Sequence, residues 1–345
     1  MAADRQFYSF DGQAGRAAIL VLGGAITPDL LAPLIDGLAA RRAEVAALGA
    51  DVAILLGFAA GPGAFRSGPG VAAGLPIVLC QDDFFTRCGL APDTAMLTVI
   101  DRAARVVACW PVQDADPAAL TKAALDATAQ IEREDARDCL LPAPVLSVPG
   151  LFTPSLCAEL IAGFENGANF DSGVSTLGAD GKPTDTLNHG KKRRRDWMPQ
   201  PGADIYERVL DLLFERCGAE IKRAYQADVT HADRVLVARY DDTGGYFKRH
   251  RDNMGESVAF RQFALSVNLN ADYEGGHLLF PEFNDHRYRP AAGGGIIFST
   301  SLLHEAAPVT KGSRYVLLTF LHDAKAEARR VAGIEAARRR VAAPA

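Results

Sequence analysis

The stretch "LLPAPVLSVPG", residues 140–150, constrains this chain most, because it separates two different hydrophobic textures. Proline lacks a backbone donor and fixes its own φ, so neither a helix nor a central strand runs through this stretch. Before it, continuous apolar runs alternate with helical segments. After it come short strands of alternating apolar residues, parted by glycine turns. With 345 residues the chain is also too long for one ordinary domain and suits two. We expect a first domain over 1–140, a linker over 141–147, a second domain over 148–323 and a helical tail over 324–345.

In the first part, "AAILVLGG" (17–24) reads as a buried strand ended by a glycine pair. "TPDLLAPLIDGLAARRAEVAALG" reads as one helix, with Thr27 as N-cap, Pro28 at the first helical position and Gly49 as the stop. "ADVAILLGF" is a second strand, and strand–helix–strand in this order implies parallel pairing. "LPIVLCQD" is a third strand, "AMLTVIDRAARVVACW" a hairpin turning at Asp101–Ala104, and "DPAALTKAALDATAQIERE" a closing helix capped by Asp116.

In the second part, "TPSLCAELIAGFENG" is a capped helix, residues 171–200 read as long loops, and "ADIYERVLDLLFERCGAEIKRAY" is one long amphipathic helix. The strands that follow, "RVLVARY", "GGYFKRHRD", "RQFALSVNLN", "GGHLLFPE", "GGGIIFSTS" and "RYVLLTFLHD", argue an antiparallel barrel or sandwich.

Composition excludes some classes. A charged content of 23% and a net charge of −5 suit neither a nucleic-acid binder nor a polybasic membrane protein. Cys80, Cys88, Cys109, Cys139, Cys157 and Cys217 contain no C-x-x-C pair, against a disulfide framework and a Cys-ligated zinc. No signal peptide and no membrane-spanning run is apparent. The expectation is a soluble, cytoplasmic protein that binds neither nucleic acid nor membrane; homo-oligomerisation is left open.

"GGYFKRHRDNMG", residues 244–255, sets His250 and Asp252 two apart. On a strand, positions i and i+2 face the same way. His304 in "FSTSLLHEAAP" is the best third ligand. Two His and one carboxylate on one face of an octahedral iron leave three positions open, as an oxygenase needs to hold a cosubstrate and O2. Zinc hydrolysis can use the same ligands but usually keeps one open position. Arg314 follows the turn-like "PVTKG" and begins a strand that pairs back. Its planar fork suits the far carboxylate of a dicarboxylate such as 2-oxoglutarate, whose keto-acid end would chelate the iron.

Other polar features have plainer readings. A second His-x-Asp, His231-Ala232-Asp233, reads as a solvated turn with a capping Asp. The run "KKRRRD", 191–196, reads as a solvated loop rather than a contact for an acidic substrate. His189, His277 and His286 read as barrel or loop histidines, and at least one of Tyr246 and Phe247 as core.

"RYDDTGGYFKRHRDN", "NLNADYEGGHLLFPE" and "LLHEAAPVTKGSRYVLLTF" carry a resemblance. Through them, residues from roughly 145 to 323 resemble the prolyl 4-hydroxylase-type family of 2-oxoglutarate- and Fe(II)-dependent dioxygenases. The resemblance implies a double-stranded β-helix (jelly roll) with flanking helices. It implies His250, Asp252 and His304 as iron ligands, Arg314 as the 2-oxoglutarate clamp and Tyr240 as a wall of the cosubstrate pocket. Asn268 stands where some members carry a Tyr near the 2-oxoglutarate carboxylate, and His277 where many read "GGEL". The implied reaction hydroxylates a C–H bond with Fe(II), 2-oxoglutarate and O2, releasing succinate and CO2, with ascorbate as reductant. The implied substrate is a peptide or a small molecule, with a peptide preferred.

Residues of about 15–130 resemble a thioredoxin-fold domain of the peroxiredoxin type, through the strand–helix–strand opening and "LPIVLCQDDFFTRCGLAPDTAMLTVIDRAARVV". Such peroxidases need a thiolate near the start of the first long helix, where the helix dipole lowers its pKa. No Cys precedes Cys80, so a redox-silent scaffold is expected. Two competing readings are a thioredoxin-like binding or sensor protein with an iron-binding barrel, and a thiol peroxidase fusion working through Cys80 and Cys88.

Overall fold

The computed structural model describes residues 15–24, 28–57, 74–80, 83–91, 93–132, 138–177 and 183–342; the expected N-cap Thr27 lies outside them. The chain divides into two compact units, Met1–Arg137 and Asp138–Ala345.

The sheet of the first unit runs β3 (Ile77–Cys80), β2 (Ala50–Gly57), β1 (Ala17–Gly23), β4 (Ala95–Ile100), β5 (Val106–Pro111). β1, β2 and β3 are parallel, while β4 and β5 join as an antiparallel hairpin. β1 is apolar throughout because both its faces are covered. Ile19 and Val21 pack with Leu31, Leu34 and Leu125, while Leu20 and Leu22 pack with Leu55 and Phe85. The expected single helix is two, Pro28–Ala40 and Arg42–Ala47. They part at Arg41, whose amide donates to the Leu38 carbonyl in a tightened last turn. The hairpin turns where expected, because the Asp101 carboxylate accepts from the amides of Ala103 and Arg105. Asp116 caps the helix Pro117–Ala129, accepting from Ala118 and Ala119.

The second unit is a jelly roll of two sheets. The larger runs β6 (Val145–Val148), β17 (Gly295–Ser299), β14 (Phe263–Asn268), β20 (Ser313–His322), β12 (His231–Asp241), β11 (Arg195–Trp197), β7 (Phe170–Asp171). The smaller runs β10 (Lys192–Arg193), β13 (Tyr246–His250), β18 (His304–Ala306), β16 (Leu278–Leu279). Two ribbons add β8 (Val174–Leu177) with β9 (Pro183–Thr186) and β15 (Glu274–Gly275) with β19 (Val309–Lys311).

Three expectations are corrected. The 141–147 linker in fact contributes a strand, since Val145–Val148 pairs antiparallel with β17 at the edge of the sheet, where flanking prolines are tolerated. Residues 171–200 contain five short strands rather than loops alone. The helix Asp204–Tyr225 carries a π-helical turn at Leu213–Cys217.

The period of two in the larger sheet sorts its side chains. Val235, Val237, Leu265, Val267, Ile297 and Leu317 pack on one face against helical residues such as Leu160, Phe164, Leu213 and Ile221. The intervening Leu236, Ala238, Ala264, Ile296, Phe298 and Val316 pack with Leu278, Phe280 and Ala306. Tyr240, Ser266 and Arg314 share this second face, which is how polar groups from three strands meet in one cavity.

Candidate metal centre

β13 and β18 are neighbours, and His250 lies directly across from His304. A bulge separates that pair from the Phe247–Ala306 pair. The extra residue turns Phe247 to the face of His250, and the two rings stack with centroids 3.5 Å apart. Asp252 is not in the strand, as the spacing argument required, but in the turn after it. Its amide donates to the Thr300 carbonyl at 2.9 Å, which fixes the turn beside the end of β17.

The His250 Nε2 lies 3.4 Å from one Asp252 carboxylate oxygen, and the His304 Nε2 lies 3.3 Å from the other. The three ligand atoms fall within 4.8 Å of one another, and among the described residues this is the one such cluster. Each imidazole donates its Nδ1–H to a backbone carbonyl, His250 to Lys248 at 2.7 Å and His304 to Leu302 at 3.0 Å. That tautomer leaves both Nε2 lone pairs aimed at the common point. Burial by itself raises the Asp252 pKa, but His304, His250 and Arg261 bring it below the ordinary carboxylate value. Burial lowers His304, against the opposing pull of Asp252. The carboxylate is therefore charged and His304 neutral at pH 7, the states in which both groups bind a metal.

The cluster opens into a cavity of about 210 Å³ that Tyr240, Ser266 and Arg314 also line. Arg314 is 2% exposed. Its Nε and Nη2 donate to the Asn268 side-chain oxygen at 3.1 and 3.0 Å, and Nη2 also reaches the Ser266 hydroxyl at 3.3 Å. The Asn268 amide donates to the Pro290 carbonyl at 2.8 Å, which fixes its orientation. Asn268, expected near the cosubstrate carboxylate, is buried, with its side-chain oxygen turned to Arg314. Tyr240 is the cross-strand partner of Arg314, and the guanidinium lies 5.7 Å from its ring centre. Gly276 has φ +62°, and a Cβ there would come within 3.0 Å of the Arg314 side chain, so the backbone and the Arg314 side chain both favour glycine.

The basic run was misjudged. Lys192 and Asp196 are buried, at 5% and 3% exposure. Arg194 pairs with Asp196 at 2.8 Å and donates to the Tyr240 hydroxyl at 3.0 Å. Pairing of β10 with β13 and of β11 with β12 draws Lys192 and Arg194 into the cavity wall. The signal was the i, i+2 spacing of Lys192, Arg194 and Asp196, masked by charge at every position between. His231-Ala232-Asp233 is also no turn: it opens β12, with Asp233 bonded by Arg261 at 2.8 Å and His231 stacked on His322 at 5.5 Å. His189, His277 and His286 stand outside the ligand cluster. In the first unit the Cys80 thiol is pushed up to about 11 by burial and by Cys88, the opposite of an activated thiolate.

The pattern of the 2OG-Fe(II) oxygenase superfamily matches residues 235–322, which hold the whole cluster and Arg314. A PKHD-type hydroxylase from Sphingopyxis alaskensis is 44% identical over 163 residues, covering 44% of this chain and 71% of the relative. One from Maricaulis maris is 35% identical over 94 residues, 26% of this chain and 42% of that protein's length, so the chain spans under half of that relative. Among solved structures, a prolyl hydroxylase from Trichoplax adhaerens, in complex with a hypoxia inducible factor oxygen degradation domain peptide fragment, is 18% identical over 55% of this chain and 86% of its own, with a TM-score of 0.42. Across its second unit, the chain belongs to the 2OG-Fe(II) oxygenase superfamily, beside the PKHD-type hydroxylases.

Proposed function

We propose that this chain hydroxylates a C–H bond of a peptidyl substrate, prolyl in the first instance, using Fe(II), 2-oxoglutarate and O2, with ascorbate as reductant. The observation that carries this reading is that three converging ligand atoms and one buried guanidinium meet in a single cavity. Two imidazole nitrogens and one carboxylate fit ferrous iron and leave open positions. His250, Asp252 and His304 would hold the metal, which supplies O2 activation coupled to loss of CO2 from 2-oxoglutarate.

The chain's own residues do the rest. Arg314 receives the far carboxylate of 2-oxoglutarate; Asn268 and Ser266 hold its fork in place before the cosubstrate arrives. Arg194 orients the Tyr240 hydroxyl on the same wall. Leu236, Phe298 and Ala306 give the cavity an apolar stretch of wall that limits the water near the metal. For the first unit we propose a redox-silent, thioredoxin-like scaffold. Its parallel βαβ opening, antiparallel hairpin and closing helix support this, and the raised Cys80 thiol speaks against a peroxidase.

Anaerobic titration of Fe(II) and 2-oxoglutarate should give the visible metal-to-ligand absorbance, and oxygen should then give succinate. A screen of prolyl peptides and free amino acids for a mass gain of one oxygen reads the substrate. Iron binding with neither 2-oxoglutarate binding nor succinate would favour an iron-binding sensor instead.

A further inference from the structure

We infer that Glu282 is a positioning residue for the metal centre: its carboxylate orients His304 through one peptide plane and, through Arg251, steadies the turn that carries Asp252. This rests on the iron-dependent reading above. Glu282 lies in the loop after β16, two residues beyond the fully buried Phe280. The Phe280 ring packs edge-on against Phe298, and Phe298 packs edge-on against His304. The loop therefore leaves the core from a fixed point beside a ligand.

The Glu282 Oε2 accepts the Leu303 amide at 2.9 Å. That N–H belongs to the same peptide group as the Leu302 carbonyl, which accepts the His304 Nδ1–H at 3.0 Å. The peptide is trans and planar, so its N–H and C=O point in opposite directions. One plane thus carries a carboxylate on one side and a ligand imidazole on the other. The negative charge polarises the peptide and makes its carbonyl a stronger acceptor. A stronger acceptor holds the ring with Nδ1–H turned to the backbone and Nε2 turned to the metal point.

The same carboxylate also holds the other ligand segment. Arg251 stands between His250 and Asp252 and lines the cavity. It donates to Glu282 through both prongs, Nη1 to Oε2 at 3.1 Å and Nη2 to Oε1 at 2.5 Å, and Nη1 also donates to the Ser301 carbonyl. A bidentate fork fixes direction as well as distance. Arg251 first, and the Leu303 amide second, hold the Glu282 carboxyl below the ordinary carboxylate range. A second pair, Arg249 with Glu305 at 3.1 Å, also joins β13 to β18 beside the ligands. There the carboxylate meets a side chain that is 64% exposed, whereas Glu282 also meets the peptide that holds His304.

The test titrates Fe(II) anaerobically into the full chain and into Glu282→Ala, Glu282→Gln and, as control, Glu305→Ala. Glu282→Ala should raise the Fe(II) dissociation constant about tenfold. Glu282→Gln, whose amide oxygen still accepts from Leu303, should recover part of that loss. Glu305→Ala should bind iron as the unaltered protein does. With iron saturating, the 2-oxoglutarate constant should be the same in all four, which also shows that they fold. In protein loaded with Zn(II) as a diamagnetic stand-in, proton NMR should show the His304 Nδ1–H exchanging with water faster in Glu282→Ala. If the unaltered protein binds no Fe(II), the hydroxylase reading fails and the role of Glu282 with it. If it binds Fe(II) and Glu282→Ala binds equally well, or Glu305→Ala weakens it as much, only the role of Glu282 falls. A weakened iron constant with the His304 proton unchanged would overturn the link through the peptide.

Discussion

His250-Arg251-Asp252 and His231-Ala232-Asp233 are the same pattern nineteen residues apart, and the fold gives them opposite work. His231 and Asp233 both lie in a strand, where the i, i+2 rule holds, yet they bring no third ligand. Across the ladder from them stand His322 and Phe320, and Arg261 already occupies the Asp233 carboxylate. His250 ends its strand and Asp252 lies beyond it, so their convergence comes from a turn pinned to Thr300. What makes a candidate ligand pair here is a second histidine across the ladder and a carboxylate left to the imidazoles. A shared strand face is neither needed nor enough.

The largest effects test that contrast directly. Asp252→Ala should abolish Fe(II) binding, and succinate formation with it, read by metal titration and by succinate release. Asp233→Ala should bind iron as the unaltered protein does. A reversal of those two results would break the comparison. Arg314→Met comes next and separates cosubstrate from metal. Truncating one partner of a desolvated, charge-assisted pair costs about 2–5 kcal/mol, so the 2-oxoglutarate constant should rise about thirtyfold or more with iron affinity unchanged. Arg314→Lys should lose less, since it keeps the charge and gives up the fork.

A stability effect should follow in the structural motif. Asp233→Ala leaves Arg261, whose side chain is 10% exposed, without its carboxylate. Loss of such a charged hydrogen-bond partner costs about 1–3 kcal/mol, measurable by urea unfolding. An equal loss in Asp252→Ala without metal would mean the two carboxylates differ less than their partners suggest.

The same contrast explains what the sequence disclosed. The convergence of His250, Asp252 and His304, and the return of Arg314 to the same cavity, were legible because such chemistry restricts a site to a few residue types at strand ends. "RVLVARY" was likewise legible as a strand, and the structure shows Val235 and Val237 covered on one face, Leu236 and Ala238 on the other. Lys192 and Asp196 were not legible, because a run of charges reads as solvated until its strand partners, Phe247 and Ala238, are known. β6 hid between prolines, since its pairing with β17 is set by tertiary contact rather than local propensity. The bond from Arg314 to the Asn268 side-chain oxygen was not legible, because the orientation of that amide depends on the distant Pro290 carbonyl.

A smaller effect concerns the tail helix Ala324–Ala342, which docks beside the His231 motif. Glu327 bonds Arg330 and the buried His322, and these contacts hold its carboxyl at about 2. A folded-state pKa below the unfolded value stabilises above the unfolded pKa, here 4.5, and that contribution is lost as the pH falls toward 2. Circular dichroism melts should show Glu327→Gln less stable than the unaltered protein at pH 6, with the gap closing between about pH 4.5 and 2. A gap independent of pH would mean that packing, not charge, docks the helix.

The smallest expected effect belongs to His231→Ala. The imidazole is half-buried, stacks on His322 with centroids 5.5 Å apart, and shares one hydrogen bond of 2.8 Å with the neighbouring Thr230 hydroxyl. Neither His322 nor Thr230 lines the cavity, and Thr230 can turn its hydroxyl to water. An aromatic contact and an exposed hydrogen bond together are worth about 0.5–1 kcal/mol. For a unit of this size that lowers the melting temperature by about 2–4 °C at most. Iron affinity, the 2-oxoglutarate absorbance and succinate formation should all stay at their original values. His250→Ala, which removes one of the three converging ligand atoms, should lose the metal under the same conditions. Two alanine substitutions in the same tripeptide pattern would then differ by the whole of the activity, and equal losses in both would show that the ladder partner, His304, is not what distinguishes them.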